Sequence, residues 1–223
     1  MANKSTSAGD VLLYVPNLIG YLRVICTVLS LILMICFPHM WITAIILYVS
    51  SFVGDLFDGM AARKFDQCSL FGGLLDMVTD RCSTAGLLCA LSHEHSERPM
   101  LVLIFTMLII LDISSHWCQM YFTASFKQHH KSAEGNQNSF ALVRWYYSYY
   151  YFFGYCCVGT EFTYVAIYIL AKVTALDQYE TNPIEYFLMI SIPACITKQI
   201  VNVSQLCSAC HAVAAHDAEQ KNK

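Results

Sequence analysis

The 223 residues are 57% hydrophobic and only 13% charged, with a mean hydropathy of +0.48 and a formal net charge of −3. Water-soluble domains carry about 25% charged residues, so the composition excludes an ordinary soluble domain and points to a chain that lives in a bilayer. No basic tract marks a nucleic-acid surface, and 11 cysteines scattered through apolar runs do not form a disulfide framework.

Residues 1–10 are polar and lack the apolar core of a cleavable leader. Apolar stretches then fall at residues 16–37, 41–59, 70–91, 100–122, 147–172 and 183–209. A helix needs roughly 20 residues to cross about 30 Å of hydrocarbon. The expected fold is therefore all-α and polytopic, with about six transmembrane helices. It is expected to be a single membrane domain over residues 1–223, with polar tails at 1–10 and 213–223. Lys4, Arg63, Lys64, Lys127, Lys131, Lys221 and Lys223 fall on one side, against Arg98 and an edge-lying Lys172 on the other. The positive-rich side is cytosolic, which puts both termini, the turn after the second span and the loop following Lys127 in the cytosol.

Several features have ordinary readings. The loop from Lys127 to Ser139 is read as a connection and the tyrosines of 146–151 as an interfacial aromatic belt. Cys207, Cys210 and His211 match a haem-attachment spacing, but nothing else suggests a cytochrome. Asn202-Val203-Ser204 fits a glycosylation pattern inside a span, where it is discounted.

The chemistry lies elsewhere. Asp55 and Asp58 are i and i+3 at the end of the second span; Asp76 and Asp80 are i and i+4 at the start of the third. Each pair shares one helix face, and two adjacent antiparallel helices can aim all four at one volume. A carboxylate at membrane depth costs several kcal/mol unless paired or coordinated. Only Arg63 and Arg81 are near in sequence to offset four of them. Divalent cations would resolve the repulsion, since carboxylate oxygens are hard ligands suited to Mg²⁺ or Mn²⁺. A pair of such ions can clamp a phosphoryl group during in-line displacement. Gly59, Ala62, Gly72 and Gly73 are small enough for close approach of a backbone or ligand.

From Asp55 to Asp80 the chain reads D-x2-D-G-x2-A-R-x8-G-x3-D-x3-D at every position. It resembles the signature of the CDP-alcohol phosphatidyltransferase family. The resemblance implies a six-helix membrane fold, a cytosol-facing two-metal site and a homodimer. It implies Asp55, Asp58 and Asp76 as principal metal ligands, and Asp80 as a further ligand and general base. It also implies a CDP-lipid pocket lined by Gly59, Ala62, Arg63 and Gly72, with Asn17 of the Pro16-Asn17 pair beside the nucleotide.

Within the family, the stretches Val15–Tyr21 with Arg23, Leu75–Thr84 and Leu111–Trp117 resemble the eukaryotic members that use inositol as acceptor. Arg144 with Tyr146-Tyr147-Ser148, and Gly159-Thr160-Glu161, fit the same pattern. The implied substrates are CDP-diacylglycerol and myo-inositol, with CMP released, in a membrane such as the endoplasmic reticulum. Inositol offers hydroxyls and no charge, so its pocket needs several hydrogen-bonding groups; Arg81, Ser83, Asp112, His116 and Arg144 are the candidates. Serine, glycerol phosphate or an aminoalcohol as acceptor, and an acidic-site cation transporter, are the competing readings.

Overall fold

The computed structural model describes residues 7–127, 148–175 and 183–221, and every element among them is helical. A short helix α1 (Ala8–Leu12) is followed by α2 (Val15–Cys36), α3 (Trp41–Lys64), α4 (Leu70–Glu94), α5 (Pro99–Lys127), α6 (Tyr150–Ala175) and α7 (Pro183–Lys221). The chain divides into two compact units, Met1–His93 and Glu94–Lys223.

Local signals set the boundaries. Ser7 and Asp10 form a reciprocal capping box at α1. The Ser7 amide and hydroxyl hold the Asp10 carboxyl below the usual carboxylate range. Pro16 sits in the first turn of α2, where its missing N–H costs nothing. Pro38 ends the α2 run and opens a single 3-10 turn, Pro38–Met40. α3 stops where Asp66 takes a left-handed φ of 53°, a place usually given to glycine. There the Phe65 and Gln67 amides close onto Ala61 and Ala62, both at 2.9 Å. The Gln67 Oε1 accepts from the Val15 amide at 2.9 Å, tying the α3–α4 turn to the start of α2.

Among the described residues, five helical stretches are long and apolar enough to cross a membrane: Val15–Cys36, Pro38–Lys64, Pro99–Ala124, Tyr151–Thr174 and Pro183–Lys221. α4 is equally long, but any window of 18 residues within it includes Asp80, Arg81 and either Asp76 or Glu94. The third expected span, 70–91, is thus a helix whose charge lowers its apolarity. α7 runs on to Lys221, so the tail expected from residue 213 is largely helical.

The burial pattern is inverted relative to a soluble bundle. α2 buries Pro16, Asn17, Gly20, Arg23, Thr27, Ser30 and Met34, a three-to-four-residue repeat of mostly small and polar side chains. Leu22, Ile25 and Val28 are exposed. Lipid accepts large apolar side chains as readily as a protein core does, so small and polar residues are the ones that gain from facing a neighbouring helix. Gly20 and Gly86 bring α4 against α2: a Cβ on Gly20 would stand 2.7 Å from Leu75 Cδ2, and one on Gly86 would overlap Leu31.

The second unit follows the same rule. α7 packs on both α5 and α6. Gly159 of α6 passes so close to α7 that an added Cβ would lie 2.6 Å from that of Ala194. Gln199 Nε2 donates to Tyr164 Oη at 3.2 Å, Asn202 Nδ2 donates to Gln199 Oε1 at 3.2 Å, and Lys198 Nζ donates to Asn202 Oδ1 at 2.8 Å. Asn202 is buried, which removes it as a glycan acceptor. Lys172 of α6 forms an ion pair with Glu94.

Candidate active site

The helical registers expected from the sequence bring the four aspartates together. Asp55 and Asp58 project from the C-terminal half of α3, Asp76 and Asp80 from the N-terminal half of α4. Asp55, Asp76 and Asp80 each offer a carboxylate oxygen within 4.8 Å of the other two. Asp58 is the most enclosed, with a side chain 12% exposed, against 36% for Asp55 and 45% for Asp76.

The sequence-based view that only Arg63 and Arg81 are near enough to offset this charge is corrected by the structure. The counter-charge comes from α2. Arg23, with a side chain 3% exposed, places Nη1 at 2.6 Å from Asp58 Oδ2 and 2.8 Å from Asp76 Oδ1. Its Nη2 lies 2.6 Å from Asp80 Oδ1 and 3.0 Å from Asp55 Oδ1. One planar fork thus reaches all four carboxylates, which a lysine ammonium could not do. Arg81 comes within 3.7 Å of Asp80. The missed signal was an arginine inside an apolar span, seldom present without a polar partner.

The set also fits divalent ions. Convergent carboxylate oxygens on two successive helices are the donor type that hard cations take, and three of the four lie close enough to share an ion. These groups remain partly open to the outside.

Beside the cluster lies a cavity of about 200 Å³. Asp58 and Asp76 form part of its wall, with Asn17, Gly59, Ala62, Gln67, Ser69 and Gly72. Asn17 is 1% exposed and donates through Nδ2 to the Val11 carbonyl at 2.6 Å. Its buried Oδ1 has no hydrogen-bond partner among the described residues. An unsatisfied buried carbonyl costs about 1–3 kcal/mol, so a ligand N–H or hydroxyl in the cavity would recover that cost. Gly72 is a close fit here: a Cβ would stand 3.0 Å from Asn17 Oδ1 and 3.2 Å from Ser69 Oγ.

Four of the five residues expected around the CDP-lipid, Asn17, Gly59, Ala62 and Gly72, line this cavity. Arg63 is exposed and its guanidinium lies next to Gly59, with Nη1 3.6 Å from where a Cβ would be. The residues expected around the acceptor are divided between the two units. Arg81 and Ser83 belong to the first unit, and the Ser83 hydroxyl donates to the Asp80 carbonyl at 2.9 Å. Asp112 and His116 belong to the second, where His116 Nδ1 is 2.8 Å from the Asp112 carbonyl and 3.5 Å from its Oδ1. Arg144, the tyrosines at 146 and 147 and the loop of 128–139 lie outside the described residues.

Residues 13–176, which include the whole cluster and cavity, match the family described as CDP-alcohol phosphatidyltransferase. The chain belongs to the CDP-alcohol phosphatidyltransferase family. It is also similar end to end to curated relatives. The Arabidopsis thaliana protein named "Probable CDP-diacylglycerol–inositol 3-phosphatidyltransferase 2" is 39% identical, over 100% of this chain and 99% of its own length. The CDP-diacylglycerol–inositol 3-phosphatidyltransferase of Saccharomyces cerevisiae is 35% identical, covering 100% and 98%. The Homo sapiens protein of that name is 32% identical, covering 96% and 97%. No solved structure matches the chain.

Proposed function

We propose that this membrane enzyme transfers the phosphatidyl group of CDP-diacylglycerol to myo-inositol, giving phosphatidylinositol and CMP. The observation that carries the reading is the convergence of four carboxylates from α3 and α4 beside a cavity lined by the family motif. Full-length similarity to proteins named for this reaction supplies the acceptor.

Asp55, Asp58 and Asp76 would be the principal ligands of two divalent ions, with Asp80 also within reach of them. When bound, Mg²⁺ or Mn²⁺ neutralises the diphosphate and orients it for in-line displacement. Gly59, Ala62 and Gly72 leave room for the nucleotide, Asn17 Oδ1 accepts a hydrogen bond from a hydroxyl or amino group of it, and Arg63 meets phosphate oxygens. Asp80 accepts the proton of an inositol hydroxyl. That oxygen bonds to the phosphorus carrying the lipid, the bond to the bridging diphosphate oxygen breaks, and CMP leaves with that oxygen. Most of the acceleration on this reading is positioning and charge neutralisation. Arg81, Ser83, Asp112, His116 and Arg144 contact the acceptor.

The distribution of Lys and Arg supports six spans, with both termini and the active site on the cytosolic side. The family resemblance supports a homodimer in the endoplasmic reticulum membrane. Purified protein incubated with CDP-diacylglycerol and labelled inositol, serine, glycerol phosphate or choline tests the assignment. Lipid product should form from inositol alone; product from serine and not from inositol would overturn it.

A further inference from the structure

Arg23 is a charged group at the cluster that neither α3 nor α4 supplies. It is held from several sides. Its Nε donates to the Ser51 carbonyl at 3.2 Å. The Ser51 hydroxyl donates to the Arg23 carbonyl at 3.0 Å and lies 2.8 Å from Thr27 Oγ1. Gly54 lets the stem pass: a Cβ there would stand 2.8 Å from Arg23 Cγ and 3.3 Å from Cδ. A side chain fixed this firmly, 3% exposed and forked between four carboxylates, is a built component of the centre.

Resting on the metal-dependent reading above, we propose that Arg23 is a positioning residue that holds the four carboxylates converged before divalent ions load, and that the ions load in competition with its guanidinium. The oxygens at issue are shared. Asp55, Asp76 and Asp80 converge as a candidate ion-binding set, and each gives an oxygen to Arg23. Like-charge repulsion among carboxylates at the ends of two helices would otherwise spread them apart. The same positive charge then opposes each incoming ion. Arg23 therefore sets ion affinity in the direction of weaker, reversible binding.

The test uses the full chain in detergent micelles, with Mn²⁺ alone as the probe. Its dissociation constant is read by electron paramagnetic resonance and its stabilisation by thermal unfolding. R23Q should melt lower than wild type without Mn²⁺ and bind Mn²⁺ at least about tenfold more tightly, because removing a unit charge a few ångströms from the ion outweighs lost convergence. R23K, which keeps the charge, should stay within about threefold of wild type. A folded R23Q with equal or weaker Mn²⁺ affinity overturns the inference. If R23Q does not fold with or without Mn²⁺, G54A decides, since its Cβ would crowd the Arg23 stem at Cγ and so shift the guanidinium it carries. A Mn²⁺-induced rise in melting temperature larger than wild type supports competition; an equal or smaller one refutes it. Absence of any Mn²⁺ signal from wild type sinks the metal reading itself. A wild-type signal left unaltered in R23Q sinks this inference alone.

Discussion

The glycine pair at the start of α4 offers a test with its own control. Gly72 and Gly73 are neighbours on one helix and both line the cavity, so helix propensity treats them alike. Replacing a helical glycine by alanine stabilises by up to about 1 kcal/mol. At Gly73 an added Cβ meets no atom within 4 Å, and that gain should be realised. At Gly72 it lands 3.0 Å from Asn17 Oδ1 and 3.2 Å from Ser69 Oγ. Asn17 cannot readily retreat, because its Nδ2 is held at 2.6 Å by Val11 and the side chain is 1% exposed. Ser69 Oγ accepts from the Gly72 amide at 3.0 Å and is constrained as well. Overpacking of this kind costs about 1–3 kcal/mol, which cancels or exceeds the propensity gain. Thermal unfolding in detergent should therefore rank Gly73→Ala above wild type and Gly72→Ala at or below it. In mixed micelles Gly72→Ala should raise the KM for CDP-diacylglycerol about 10- to 100-fold, the equivalent of about 1.4–2.8 kcal/mol, with kcat changed much less. Equal melting temperatures and an unchanged KM for Gly72→Ala would refute the claim that Asn17 and Gly72 shape the nucleotide pocket.

Other outcomes follow from the same geometry. Asp80→Asn should lower kcat by about 10²–10⁴-fold while membrane insertion and CDP-diacylglycerol binding persist; near-normal CMP release would contradict the base assignment. Chelation with EDTA should abolish transfer, and added Mn²⁺ or Mg²⁺ should restore it; activity that survives exhaustive chelation would remove the divalent-ion mechanism. Lys172→Met strands Glu94, whose carboxylate is 21% exposed, and should cost about 1–3 kcal/mol of stability after allowing for partial solvent access. The folded fraction of that variant should retain its kcat, since both residues belong to a pair remote from the motif in sequence; a large fall in kcat without loss of stability would count against a structural role.

How much of this was legible beforehand depended on the distance over which each signal acts. The aspartates could be paired from spacing alone, because i,i+3 and i,i+4 are fixed by helix geometry and α3 and α4 are joined by a short turn. The cavity residues Gly59, Ala62 and Gly72 lie within the same contiguous motif. Arg23 was not legible as their partner. It is 32 residues before Asp55, and its position depends on α2 packing through Gly20, Gly54 and Gly86, contacts that periodicity does not rank above others. The charge deficit was visible as a problem with two solutions, a bound cation or a resident one. Near in the chain only Arg63 and Arg81 offer a resident cation, so spacing alone favours the bound one. In a bilayer, nearness in the chain is too narrow a guide. An arginine at membrane depth is itself costly, so an isolated one in α2 and an excess of carboxylates in α3 and α4 are complementary debts, and the fold that closes one closes the other. The buried stripe Asn17, Gly20, Arg23, Thr27, Ser30 on an otherwise lipid-facing helix is the sequence form of that complementarity. It marks α2 as a wall of the candidate site although it carries none of the motif's aspartates.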